Sequence, residues 1–317
     1  MRLINKFNSL KQKIKIAKKG DLLFLIESIF FRNINIFLRR HPLSHPFLSG
    51  DTYKSFSTKY YKGGKGITIS KGDIVFCSAY MLEDFKKYIL PEISQKFIFI
   101  THHSDISIEK YNSDILENSF LFTWYAQNNT FHHPKLITIP IGLEDAWRHN
   151  HGVIASFKKY INSDYNFGKK KPRILYGFNV ATNPKKRKYA LKILERCERA
   201  DKFSGLARSY RNTLSQYMFV ASPEGNGIDC HRTWEALYMA VIPIVIKHPF
   251  YDTLKDFPGL IIDDWSYLNK LSEFDLINLY EEHIKKVNNC KYIWSYFWEK
   301  RIAADLDAIK SSSSKAR

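Results

Sequence analysis

Residues 217–245, YMFVASPEGNGIDCHRTWEALYMAVIPIV, hold the pattern that decides the fold. YMFVAS is an apolar run of strand length that should end near Ser222, and VIPIV is a second one. Between them PEGNGID reads as a loop, and positions 230–240 read as a helix. On that helix Trp234, Leu237 and Val241 share a core face, while Arg232, Glu235 and Met239 share another. Strand, loop, helix and strand in succession predict a parallel βαβ unit. Asp229 is placed to cap the helix, and Gly225 and Gly227 to allow positive φ and close approach of a ligand.

The same alternation extends in both directions. RILYGF (173–178), a helix from Pro184 to about Arg199, and GLIIDD (259–264) belong to the same series. An earlier series contains DIVFCS (73–78), a helical EDFKKYILPEI interrupted by Pro91, KFIFIT (96–101), SFLFTW (119–124) and KLITIPIG (135–142). The polar stretch NSDYNFGKKKP (162–172) reads as a linker. The expectation is an α/β chain with two Rossmann-like doubly wound domains facing a central cleft. Their bounds are 36–165 and 172–290, with a basic segment at 1–35 and a final helix, 291–310, packing back on the first domain.

Composition bounds the function. A formal charge of +18 points to anionic substrates, an acidic membrane surface or a polyanion. Cys77, Cys197, Cys230 and Cys290 show no paired spacing, which argues against a disulfide framework or zinc knuckle and suits a reducing, cytoplasmic setting. No zinc finger, RRM signature or helix-turn-helix pattern is present, so nucleic acid is not the expected partner. MRLINKFNSLKQKIKIAKKG (1–20) spaces Leu3, Ile4, Phe7, Leu10 and Ile14 among lysines, as a basic amphipathic helix does. Docking on an anionic membrane surface and a solvated helix packed on the domain both fit it. The following run, DLLFLIESIFF, is too short to span a bilayer.

In such sheets ligands bind where strands end and helices begin. Glu224, Asp229, His231, Arg232 and Glu235 gather at one such point. A diphosphate wants backbone N–H groups and an arginine fork, and sugar hydroxyls want carboxylate acceptors. The plainer reading pairs Arg232 with Glu235 across one helical turn. His231 and Glu235 could ligate zinc, but no third ligand lies nearby, so no metal is expected. After RILYGF, Asn183 precedes Pro184, and Lys185, Lys186 and Arg187 crowd a first helical turn. Cations there oppose the helix dipole unless an anion binds, so replacing all three with glutamine should not harm the unliganded fold; a solvated basic face is the alternative. In the first series, THHSD (101–105) ends a strand with His102, His103 and Asp105. A general base could sit there; His103 is preferred, with Asp105 orienting it or acting itself, and Glu144 of IPIGLED next in line. TWYAQNN (123–129) offers aromatic and amide groups to a sugar face.

SPEGNGIDCHRTWEALYMAVIPIV resembles the donor-site segment of exostosin-like glycosyltransferases and related bacterial polysaccharide enzymes, and LYGFNVATNPKKR and TWYAQNN…ITIPIGLED resemble companion segments. The resemblance spans roughly 73–265. It implies the GT-B fold, a metal-independent transferase without a cofactor, a nucleotide-diphosphate sugar as donor and a glycan or lipid-linked glycan as acceptor. By position it puts Arg232 at the diphosphate, Glu235 at the ribose, and Glu224 and Asp229 near the transferred sugar. Ala240 stands where glycine is common. The other readings are a polysaccharide phosphotransferase and, further off, a nucleic-acid binder.

Overall fold

The computed structural model describes residues 44–145, 157, 170–205 and 207–311. The basic segment 1–35 and most of the expected linker lie outside them.

Two five-stranded, all-parallel sheets face a central cleft, which is the GT-B architecture. The first sheet takes its strands in chain order: β1 (Lys59–Tyr60), β2 (Ile74–Ser78), β3 (Phe97–His102), β4 (Leu121–Ala126) and β5 (Leu136–Thr138). Helix α1 (Gly50–Ser55) precedes β1, α2 (Leu82–Tyr88) follows β2, and α3 (Ser113–Glu117) precedes β4. The central strands β2, β3 and β4 are mostly apolar because both faces are covered. Val75, Cys77, Phe97, Phe99 and Trp124 pack on one side. Ile74, Phe76, Ile98, Ile100 and Tyr125 pack on the other, the alternation a strand imposes.

The second sheet runs β10-β9-β8-β6-β7. It comprises β6 (Lys171–Tyr176), α4 (Pro184–Leu194), β7 (Ala200–Lys202), α5 (Ala207–Leu214), β8 (Tyr217–Ala221), α6 (His231–Tyr238), β9 (Ile242–Ile246), α7 (Pro249–Asp252) and β10 (Leu260–Ile262). The βαβ unit read from 217–245 is thus β8–α6–β9. Because β7 lies on one side of β6 and β8 on the other, the strand order reverses between β6 and β8. A crevice opens at such a point. Helix α8 (Glu273–Asn289) lies against this sheet, whereas α9 (Ser295–Ser311) lies against β3 and β4. On that face Trp298, Ile302 and Ile309 are buried, and the Tyr125 hydroxyl donates to Asp305 (2.7 Å).

The two halves are bonded together beside the cleft. Phe47, Ile141 and Leu143 belong to the same core cluster as β8 and α6. The Ile141 N–H donates to Asp229 Oδ2 (2.7 Å), the Asp229 N–H to Asn128 Oδ1 (3.1 Å), and the Leu48 N–H to the Tyr238 hydroxyl (3.0 Å).

Local differences from the expected elements have simple causes. Helix α2 stops at Tyr88, because Pro91 lacks an N–H and disfavours helix before it. Helix α4 ends at Leu194, since ERCERAD must turn back to form β7. The short strands β1 and β7, at sheet edges, carry no apolar alternation to announce them. Ala240 has φ 52°, the left-handed conformation that glycine adopts without strain.

Candidate active site

A cleft of about 850 Å³ lies between the carboxyl ends of the two sheets. One wall carries Tyr80, His102, His103, Asp105, Gln127, Glu144 and Asp145; the other carries Gly177, Arg187, Tyr210, Gly225, Gly227, Asp229, Arg232 and Glu235. Expected site residues from both series therefore meet in one place. Glu224 and Asn183 do not line it. Glu224 pairs with Lys186, and Asn183 caps α4 and donates to the Gly225 carbonyl (3.0 Å).

On the first wall, β3 ends in His102 and delivers two histidines of opposite character. His102 is buried, and both its nitrogens are committed: Nδ1 accepts the His103 N–H (2.8 Å) and Nε2 faces the Pro140 carbonyl (3.4 Å). Burial, with the charge of His103 adding to it, pushes His102 down to about 3. It is therefore a neutral support, not the base the sequence allowed. His103 turns away from the strand with φ 58°, a left-handed conformation, and its Nε2 lies 2.9 Å from Asp145 Oδ2. Asp145 Oδ1 accepts the Asp51 N–H from α1 (2.9 Å). Burial alone would raise Asp145, but the contact with His103 and the Asp51 N–H bring it down to about 2. Gly50 makes this packing possible, because a Cβ there would come within 1.9 Å of His103 Nε2.

The expectation that Asp105 orients the histidine is corrected. Asp105 is exposed and accepts from the Tyr80 hydroxyl (3.3 Å), while Asp145 takes the orienting position. Asp145 ends the quoted IPIGLED segment, and a carboxylate just after a strand's carboxyl end was the signal for it. Asp51, His103 and Asp145 bring ligand-type atoms within 4.8 Å of one another.

The second wall is built from the turn after β6, the β8–α6 loop and α6. Cys230, not Asp229, is the N-cap residue of α6, and it gives no side-chain cap. That leaves first-turn N–H groups beside the cleft, where the helix dipole favours an anion. Asp229 instead faces inward: Oδ2 takes the Ile141 N–H and Oδ1 the Trp234 indole N–H, each at 2.7 Å. Burial pushes its carboxyl up to about 7 against those two donors and the charge of His231. Neither Gly225 nor Gly227 has positive φ; close approach alone explains them. A Cβ on Gly227 would sit 3.2 Å from the Asp105 backbone of the opposite wall.

Arg232 and Glu235 form no ion pair with each other. Arg232 Nη2 donates to the Gly177 carbonyl (3.0 Å), and its guanidinium lies 5.9 Å from the Phe178 ring. Among the described residues its Nε has no aligned hydrogen bond, and Glu235 is buried at the cleft wall without an ion-pair partner. Arg187 differs. It is buried and donates to the carbonyls of Asn179 (2.8 Å), Glu224 (2.8 Å) and Pro223 (3.1 Å). It holds the loop's shape, so the expectation that its loss is harmless is corrected. His231 bonds the Gly142 carbonyl through Nδ1 (2.8 Å) and lies 3.6 Å from Glu144, which joins the two walls and removes it as a zinc ligand with Glu235. Asp264 caps the turn after β10 by accepting the Ser266 N–H (2.8 Å).

No family model matches the chain, and no curated protein matches it. Among solved structures it is similar to α,α-trehalose 6-phosphate synthase from Burkholderia multivorans, at 6% identity over 77% of this chain and 72% of that one, TM-score 0.46. It is also similar to an apo structure of OtsA, at 9% identity over 75% and 73%, TM-score 0.45. A third is S. aureus TarM bound to UDP, at 10% identity over 75% of this chain and 55% of that one, TM-score 0.42.

Proposed function

We propose that the chain is a glycosyltransferase that moves a sugar from a nucleotide-diphosphate donor to a hydroxyl of a glycan or lipid-linked glycan, as its resemblance to exostosin-like enzymes of bacterial polysaccharide synthesis implies. The observation that carries this reading is one juxtaposition. An arginine and an uncapped helix N-terminus lie at the β6/β8 crevice, and a histidine–carboxylate pair faces them across the cleft. In this reading the diphosphate rests on the first turn of α6 and on Arg232, which offers a charge-assisted fork. Glu235 accepts from the ribose hydroxyls, and the hexose lies between the walls.

His103 is the base. With Nε2 turned to Asp145, its Nδ1 is the nitrogen left to take a proton. It removes the acceptor hydroxyl's proton as that oxygen bonds the anomeric carbon and the bond to the diphosphate oxygen breaks. Asp145 fixes the ring and stabilises the imidazolium that forms, and the nucleoside diphosphate leaves with the bonding electrons. Positive charge on the donor wall accepts the charge that develops on it, so the chain's own side chains supply the electrostatics a metal provides elsewhere. The basic segment 1–20 would hold the enzyme near an anionic membrane surface carrying a lipid-linked acceptor, each lysine contributing about 1 kcal/mol there.

The test is a thermal-shift screen of nucleoside diphosphates and nucleotide sugars. A ligand at 100 times its Kd stabilises by about 2.7 kcal/mol, which the melting curve resolves. The expected result is a shift with one nucleoside diphosphate and its sugar conjugate. No shift with any, together with salt-sensitive oligonucleotide binding, would favour the nucleic-acid reading instead.

A further inference from the structure

Three consecutive buried amides follow β4, and they differ in one respect. Asn128, Asn129 and Gln127 are 0%, 1% and 3% exposed. Asn128 is fully engaged: Nδ2 donates to the Ser104 carbonyl (3.1 Å) and Oδ1 accepts the Asp229 N–H (3.1 Å). So is Asn129, whose Nδ2 donates to the Phe131 carbonyl and to Thr138 Oγ1 (both 2.9 Å) while Oδ1 accepts the Phe131 N–H (3.2 Å). The Gln127 backbone is held as well, its N–H donating to the Thr101 carbonyl (3.0 Å). Its side chain is not: both Nε2 and Oε1 are buried and find no partner among the described residues. Of the three, Gln127 is the one that lines the cleft, on the wall that carries His103 and Ile141 and facing the wall of Asp229.

A buried amide left unmatched is costly, and buried polar groups are matched almost everywhere in folded proteins. The chain satisfies the two neighbouring amides completely, so local backbone geometry does not prevent it from satisfying a third. We propose that Gln127 is kept for the ligand and determines saccharide specificity, its amide donating to one hydroxyl and accepting from another. An amide N–H and C=O side by side match the paired donor and acceptor of neighbouring sugar hydroxyls. A site built on such a pair rejects a saccharide that lacks them, because the amide is then left unsatisfied. Gln127 thereby tells a sugar-bearing ligand from a bare nucleotide, a task that Arg232 and the α6 N-terminus cannot perform. The proposal rests on the glycosyltransferase reading, and the hydroxyls belong either to the transferred hexose or to the acceptor.

Gln127→Met, nearly isosteric, and Gln127→Leu, as a second apolar variant, test it. Melting temperatures are measured without ligand, then dissociation constants for UDP, GDP and dTDP, for their hexose conjugates, and for methyl glycosides added with the diphosphate. Both variants are expected to melt at or above the wild type when unliganded, since an unmatched buried amide has been removed. Bare diphosphate affinity should be unchanged. Affinity for the saccharide should fall about tenfold or more, the scale of one to two lost hydrogen bonds. If the loss appears with the hexose conjugates, Gln127 reads the donor sugar; if only with the methyl glycosides, it reads the acceptor. Lower unliganded melting temperatures in both variants would show that the amide serves the fold, and undiminished saccharide affinity would overturn the proposal. Should the wild type bind no nucleotide, the donor reading fails by itself. The glycoside arm then still decides the role of Gln127, and no Gln127-dependent saccharide binding overturns it.

Discussion

Asp145 shows how one side chain can organise a site. Its two oxygens face different elements, the Asp51 N–H of α1 and the ring of His103 at the end of β3. Asp145→Asn keeps an acceptor for Asp51 but removes the charge that steadies a protonated imidazole. We expect turnover to fall about a hundredfold or more, the usual scale of lost base catalysis, with donor affinity and melting temperature near the wild type. His103→Asn should fall by a similar factor, and the double variant no further than the worse single one, because the two act as a unit. Normal turnover in both would move the base elsewhere. On the opposite wall, Arg232→Ala removes the hydrogen bond to the Gly177 carbonyl and the contact with the buried Tyr210 hydroxyl, so the fold should lose no more than about 1–2 kcal/mol. Nucleoside diphosphate binding should weaken by about tenfold or more, as expected when a charge-assisted hydrogen bond is lost. Calorimetric titration checks this; an unfolded variant or unchanged affinity would remove Arg232 from the donor site.

At the scale of elements, the first turn of α4 divides its cations by task. Lys185 is exposed, Lys186 pairs with Glu224, and Arg187 is buried among loop carbonyls. Lys185→Gln should leave stability unchanged or slightly raised, since a cation at a helix N-terminus is unfavourable by about 0.3–1 kcal/mol. Arg187→Gln should cost about 1–3 kcal/mol, because one buried and two part-buried carbonyls lose their donor together. Urea denaturation of the two variants side by side separates them, and equal stability would show that the Arg187 network contributes nothing.

For the whole molecule, Asp229 ties the second half to the first through the Ile141 N–H and Asn128. An aspartate in the unfolded chain ionises near about 3.9, whereas burial holds Asp229 up to about 7 in the folded state. Between these values the unfolded chain gives up the proton while the folded protein keeps it. The group's contribution to stability therefore falls as pH rises from about 4 to about 7 and is level beyond that window. Asp229→Asn removes this dependence. Relative to the wild type, the variant should gain stability as pH rises through that window, whatever its offset. Denaturation midpoints at several pH values check it, and a constant difference would show that Asp229 ionises normally.

The β8–α6–β9 unit, the longer strands of both series and the place of His103, Arg232 and Glu235 at the cleft were legible because each depends on local pattern. A strand buried on both faces must be apolar throughout, a helix must repeat near every third or fourth position, and parallel sheets place ligands where strands end. Sequence could not show which partner each polar side chain would choose. Nothing local distinguishes Arg187, which braces a loop, from Arg232, which keeps its Nε without an aligned hydrogen bond beside the cleft. Nor does a run of three amides reveal that Asn128 and Asn129 are satisfied while Gln127 is not. Asp229 looked like a helix cap from its place before α6, yet it bonds to the loop after β5, 88 residues away. Backbone conformation and burial follow from short-range spacing. The pairing of hydrogen-bond groups follows from which distant segments meet, and tertiary structure alone decided that.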